Sequence, residues 1–380
     1  MDDVLSKKRL LGIAIGFIAL TPLTTAFSLF HVDLFLTAYE LPLASYAVGN
    51  AIYAFINTAN DVGGAWLVDS LGQKTDRSRI LSITGILFAF CFLTLFFRFD
   101  KILFGSTSSI PSSWPLIHFV LSMSLYDTMY SFSAILTGSI FTDKLLPQNT
   151  KVKFLAFTRF SGMILSFAIA KIGLNIFDAK DLTLFQIYVV ILAILTAALF
   201  HASQVLSRST SMSSIPSKTT KDKGNESCSI KKKKLNIKTA LHDLSHHKNF
   251  QRWIFMEMFL ECQVTFISSF SKLFVDRLLF VHRRTTTSTG FSRENCDWIL
   301  SIMGPLGQVT SLFCFYAIAK VGYHKIYLVL FRLKFISAIL MLLFATPSDK
   351  SAVCFFLIMS KVVTGAVQGS GYVPSSTFNN

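Results

Sequence analysis

Charged residues are scarce in this chain. Of 380 residues, 36 are Lys or Arg and 21 are Asp or Glu, 15% in all. Soluble globular domains carry roughly a quarter. A deficit this large excludes a soluble domain of ordinary composition, because too little polar side chain is left to meet water. Cysteines are few and scattered: Cys91, Cys228, Cys262, Cys296, Cys314 and Cys354 form no CxxC pair and no Cys/His cluster. That argues against a disulfide framework and against a zinc site, and leaves those in apolar runs as small packing residues. Catalytic signatures are missing as well. There is no HExxH and no GxSxG, so the chain reads as something other than an enzyme. No small-residue cleavage site clearly follows the first apolar run, Leu10–Phe30, and that run is too long for a signal-peptide core.

What is abundant is apolar surface. Hydrophobic residues make up 52%, with 38 Phe, and the mean hydropathy is +0.53. The apolar residues come in long separate runs rather than short alternating strands. In lipid every backbone polar group must be satisfied internally, so such runs favour spanning helices. A span needs about 20 mostly apolar residues. Ten runs qualify: 10–31, 44–68, 80–97, 114–140, 154–176, 184–205, 250–273, 298–319, 326–345 and 352–371. The second, fourth and seventh are the most polar. The expected class is all-α and polytopic.

A net charge of +15 does not point to nucleic acid, because the basic residues are not gathered on an aromatic-bearing soluble face. They fall in the segments that alternation makes cytoplasmic: Lys7–Arg9, then Lys74, Arg77 and Arg79, then Lys144, Lys151 and Lys153, then 206–249, then Lys320 and Lys325. This is the positive-inside pattern, with a cytoplasmic N-terminus and, by expectation, the plasma membrane as location. One loop breaks it: 274–297 should be external yet holds Arg277, Arg283, Arg284 and Arg293. Segment 206–249 is rich in Ser, Thr and Lys and reads as a disordered linker. Its Lys231–Lys234 run could touch anionic inner-leaflet lipid, at about 1 kcal/mol per basic residue; a plain solvated loop is the simpler reading. The layout is therefore a six-helix bundle over 1–205, a basic linker over 206–249 and a four-helix bundle over 250–380. Transporters built from two repeats place six spans on each side of such a linker. The second bundle is thus expected to be incomplete.

The second run carries a polar stripe. Asn50, Tyr53, Asn57, Asn60 with Asp61, and Gly64 recur at helical spacing and share a face. A carboxylate in mid-membrane costs about 2.5–3.5 kcal/mol on the insertion scale. Asp61 is therefore either an ion or proton site or a structural, hydrogen-bonded carboxylate. Asn57 and Asn60 add amide oxygens, which suit hard cations. In the fourth run Ser124, Asp127, Thr128 and Ser131 share a face, with Tyr126 and Tyr130 beside them. Arg159 enters the fifth run, where it fits an ion pair or a substrate clamp. Glu257 and Glu261 stand at i, i+4 in the seventh, and Gly304-Pro305-Leu-Gly307-Gln308 makes the eighth kinkable. Asn57, Asn60, Asp61 and Asp127 are the candidates for binding a coupling Na+ or H+. Tyr53, Tyr126, Tyr130, Arg159, Glu257 and Glu261 are the candidates for lining a substrate cavity.

At Asn57-Thr-Ala-Asn60-Asp61, followed by Trp66-Leu-Val-Asp69, the chain resembles the glycoside–cation symporter branch of the major facilitator superfamily. More closely it is similar to the animal transmembrane protein 180 family. Val32-Asp33, Leu125-Tyr126-Asp127, His247-Lys-Asn249-Phe250, Met256-Glu257, Phe266-Ile-Ser268-Ser-Phe270 and Leu340-Met341-Leu342-Leu343 carry the likeness. The resemblance implies a major facilitator fold of two helix bundles and a cation site on the second run. That site holds two aspartates in the symporter branch; here the first position is Asn57 and the second Asp61, with Asn60 matching. Positions of the branch's acidic sugar ligands fall near Phe17 and Tyr130, which departs from galactoside recognition. The loop motif reads Ala65-x-x-x-Asp69-Ser70 instead of Gly-x-x-x-Asp-Arg. Two functions follow: a cation- or proton-coupled symporter of a small polar solute working by alternating access, or a transport-inactive scaffold or surface protein on the same fold.

Overall fold

The computed structural model describes residues 7–72, 77–99, 113–142, 148–207, 246–280, 291–346 and 349–370. The described elements are helices, joined at one point by a lone backbone bridge between Phe280 and Phe291. Contacts divide the chain into two units, Met1–Arg208 with Ser268–Asn380, and Ser209–Ile267. The linker expected at 206–249 lies almost wholly outside the described residues.

The first span is bent. Helix α1 covers Lys7–Ala19 and α2 covers Thr21–Asp33, continued by a wider π-helical turn, Leu34–Ala38. The break sits at Leu20 because Pro22, at the start of α2, has no N–H to give and its ring crowds the preceding turn. Carbonyls freed in lipid need donors. At the break the Leu20 carbonyl is bonded twice by Thr24, whose amide donates to it at 3.3 Å and whose hydroxyl donates to it at 2.9 Å. The remaining helices are α3 (Leu43–Gly72), α4 (Arg77–Phe96), α5 (Trp114–Thr142), α6 (Gln148–Ile176), α7 (Thr183–Ser207), α8 (Lys248–Phe274), α9 (Arg293–Val321), α10 (Tyr323–Phe344) and α11 (Lys350–Ser370). A second π-helical turn, Val275–Leu279, extends α8. Eight of the spans are long and apolar enough to cross a bilayer on the described residues alone. The other two, α3 and α5, carry the polar stripes and are long enough at 30 and 29 residues.

Packing inside the large unit pairs α1 with α7, α3 with α5, α4 with α5 and α7, α9 with α11, and α6 with α9. Phenylalanine fills the core: Phe30, Phe35, Phe88, Phe92, Phe119 and Phe185 are all fully buried. The outward faces are equally apolar. Phe55, Phe313 and Leu342 are 81%, 72% and 86% exposed, which in water would be an untenable patch and in a bilayer is the lipid-facing surface. Hydroxyls inside the helices bond carbonyls one turn back, as Thr128 does to Ser124 at 2.6 Å and Thr137 to Ser133 at 2.7 Å. That is how polar side chains are satisfied where no water competes.

The tightest approach is between α9 and α11. A methyl built on Gly365 would lie 2.4 Å from the Gly307 Cα, backbone against backbone. Only paired glycines let the two axes come so close.

A polar cavity between two proline-bearing helices

The functional geometry begins at the two prolines. Pro22 bends the first span at Leu20, and Pro305 stands inside α9. Thr24, Thr25 and Ser28 of α2 face the same cavity as Ser301, Gly304 and Gln308 of α9. Ser166 of α6, Ser268 and Ser271 at the end of α8, and Lys361 of α11 complete the wall of a cavity of about 270 Å³. Its residues lie near the middles of α6, α9 and α11, which places it near the bilayer midplane.

The hydrogen bonds in the wall leave donors available. Lys361 Nζ donates to Ser268 Oγ at 2.8 Å. Thr25 donates to Ser166 Oγ at 3.1 Å, leaving the Ser166 proton uncommitted. Ser271 and Ser301 spend their hydroxyls on backbone carbonyls, at 3.1 and 2.7 Å. Gly162 brings α6 close to the Gln308 amide; a methyl there would meet Gln308 Oε1 and Thr21 Oγ1, both at 3.4 Å.

One turn beyond the cavity, on each of three helices, is a charge. Asp33 follows Leu29, Lys272 follows Ser268, and Asp297 precedes Ser301. Lys272 pairs with Asp33 across 239 residues of sequence, and with Asp276 at 3.4 Å. Arg293 pairs with Asp276 at 2.9 Å and with Asp297 at 3.3 Å. The Lys272 ammonium also sits 4.8 Å from the Phe177 ring centre. Lys272 is buried, with 5% of its side chain exposed, and its two carboxylates offset the cost of burying its charge. The Arg293 pairs are half-exposed and contribute little energy, roughly 0–1 kcal/mol each. Toward the opposite end, the Lys7 end, the boundary is apolar. Ile13 and Ala14 of α1, Phe141 of α5, Phe154 of α6 and Phe315 of α9 form a buried cluster. Phe17 joins it edge-on, 5.8 Å from both Phe141 and Phe154.

Of the residues singled out by sequence, Asn60 is brought to the polar stripe of α5. Asn60 donates its amide to Thr128 at 2.5 Å, tying the α3 stripe to that of α5 beside Asp127. The Asn57 carbonyl oxygen is buried with no hydrogen-bond partner among the described residues. Tyr126 is buried in an aromatic stack, 4.3 Å from Phe27 and 6.4 Å from Tyr130. Tyr53 packs against the same core. Arg159 is half-buried on α6. Asp61, Glu257 and Glu261 lie on α3 and α8, with side chains outside the described residues.

Among solved structures, the chain is similar to the xylose transporter XylE from E. coli in a partially occluded inward-open conformation. The TM-score is 0.62, at 14% identity over 97% of this chain and 86% of that one. It is similar to a D-xylose-proton symporter, with TM-score 0.59, 13% identity, and 95% and 80% covered. A bacterial homologue of the iron transporter ferroportin, in an outward-facing state, matches at TM-score 0.59 and 12% identity, with 98% and 85% covered. The fold is that of the major facilitator transporters. No protein-family model matches the chain. Curated relatives extend the likeness. Transmembrane protein 180 of Gallus gallus is 23% identical over 362 residues, which is 90% of this chain and 67% of that protein. The Mus musculus protein of the same name is 23% identical over 375 residues, 90% and 66%. The chain thus spans about two thirds of the length of these relatives.

Sequence reasoning missed the cavity of this major facilitator fold. Serines and threonines are common in spans, and nothing in their spacing separates a wall from a lipid face. Three signals were nonetheless present: Pro22 within the first apolar run, Lys361 within the last, and the excess of arginine in 274–297. Arg293 is accounted for by its acidic partners.

Proposed function

We propose that the chain is a secondary active transporter of a small polar solute, working by alternating access. The cavity carries this reading: it is polar, lies near the midplane, and is walled by helices that precede and follow the central linker. Substrate sites of two-repeat transporters lie where the repeats meet, near discontinuous helices. At about 270 Å³ it falls just below the roughly 300–1,000 Å³ typical of drug-sized ligands, which suits a small solute. The ion pairs at the Asp33 end and the aromatic cluster at the Lys7 end are suited to serve as alternating closures.

The coupling site in this reading is the α3–α5 patch. Asn57 offers a buried amide oxygen, Asn60 and Thr128 fix the two helices, and Asp61 and Asp127 supply charge for Na+ or H+. The Phe27–Tyr126 stack connects that patch to the helix that bears Thr25 and Ser28. Asp61→Asn is expected to abolish accumulation driven by an ion gradient while leaving exchange of the solute across the membrane.

Gly304 offers a direct test. It lines the cavity, and nothing lies within 4 Å of where its Cβ would be. Gly304→Trp should fill the cavity without disturbing the helix. Solutes accumulated by cells making the chain would be compared, by mass spectrometry, with those of cells making this variant. At equal surface expression, the variant should fall to the level of cells lacking the protein. If no solute distinguishes the chain from its absence, with or without Na+ and proton gradients, the transporter reading is wrong.

A further inference from the structure

Resting on that reading, we infer that the cavity selects a small organic anion, with Lys361 as the group that binds its carboxylate. Lys361 sits at the middle of α11, half-buried in the cavity wall. A cation there is expensive and is normally offset by a counter-charge. Among the described residues its hydrogen-bond partner is the neutral hydroxyl of Ser268, and no carboxylate lies within ion-pair distance. An ammonium has three donors, so two remain to be used.

The rest of the wall repeats the pattern. The described lining contains no acid. Among the described residues, the acids nearest to it, Asp33, Asp276 and Asp297, are a turn or more away and are engaged with Lys272 and Arg293. What faces inward is donor-rich: the Lys361 ammonium, the free proton of Ser166, and the amide of Gln308. Such a cavity complements an acceptor-rich, negatively charged solute. A neutral sugar would leave the Lys361 charge without a counter-charge, and a cation would add to it.

The test is binding to the purified full chain in lipid nanodiscs, read as the shift in thermal unfolding. The probes are lactate, succinate and inorganic phosphate as potassium salts, with xylose as the neutral probe and choline as the cationic one. Potassium chloride at matched ionic strength is the reference. A ligand that binds only the folded state raises its stability by mass action. At least one of the three anions should raise the unfolding temperature, and xylose and choline should not. Lys361→Met should weaken the response roughly tenfold or more, as expected for loss of a charged hydrogen bond. Lys361→Arg should keep most of it. Ser268→Ala, which frees Lys361 from its anchor, should weaken it less than Lys361→Met, and it serves in place of Lys361→Met if that variant does not fold. Equal shifts with xylose or choline, no shift with any anion, or an anion response unchanged in Lys361→Met or, in its place, Ser268→Ala would overturn the inference. Anion binding without uptake into liposomes would defeat transport and leave this inference standing. Uptake of xylose or choline would do the reverse.

Discussion

Gly365→Leu is expected to prevent the chain from assembling its bundle. At the crossing of α9 and α11 a Cβ on Gly365 would stand 2.4 Å from the Gly307 Cα, 2.8 Å from its carbonyl carbon and 2.9 Å from its oxygen. These are backbone atoms, so no rotamer change relieves the clash. The helices must separate, and separation undoes the α9 and α11 walls of the cavity. Overpacking a core usually costs 1–3 kcal/mol. Here the obstacle is main chain, and a loss of about 3 kcal/mol or more is expected, a large share of any domain's net stability. Gly63→Ala is the control, because nothing lies within 4 Å of that Cβ and alanine is the better helix former. Size-exclusion profiles and unfolding temperatures of the two variants measure the difference. A Gly365→Leu protein that stays monodisperse and melts like the parent would show that the crossing is looser than described.

The second large effect lies at Lys272. Its side chain is 5% exposed, and it is held by Asp33 and Asp276. Removing one partner of a buried pair typically costs 3–5 kcal/mol, because the other is left charged and unpaired. Asp33 is 20% exposed and Asp276 22%, so water recovers part of that. Lys272→Met should therefore cost about 2–3 kcal/mol. Asp33→Asn combined with Lys272→Met should recover part of the loss, because no unpaired charge then remains at Asp33. Unfolding temperatures of the single and double variants form a cycle that reads the coupling directly. Additive effects would mean that the pair contributes nothing.

Much of the architecture was legible in the sequence, and for a simple reason. Spanning helices must be long and apolar, and these are properties of contiguous residues. The run 44–68 becomes Leu43–Gly72, and 184–205 becomes Thr183–Ser207. Where ends differ, the helix continues past the apolar stretch. Gln148–Lys153 is polar yet helical, because a helix that has paid for its nucleus extends cheaply into a loop. The bend at Leu20 was overlooked because a count of apolar residues does not register one proline.

The site was far less legible. The α3 and α5 stripes were visible because acids and amides stand out in an apolar run, and Asn60 does meet Thr128. The cavity was not visible. Thr25 and Ser166 meet across 141 residues, and Asp33 and Lys272 across 239. Only the fold brings them together. Phe17 illustrates the converse. The resemblance places a sugar-binding position near it, and the structure places the residue in an apolar cluster with Phe141 and Phe154.

The most direct test of alternating access needs no knowledge of the solute. The six native cysteines are replaced, a single cysteine is placed at Ser28 in the cavity wall, and a membrane-impermeant thiol reagent is applied from one side at a time. Alternating access predicts that Asp33→Asn, which breaks the closure at that end, speeds labelling from the Asp33 side and slows it from the Lys7 side. A bias of about 1.4 kcal/mol between the two states would change the ratio of the two labelling rates about tenfold. Labelling that Asp33→Asn leaves unchanged from both sides, or speeds from both at once, would contradict it.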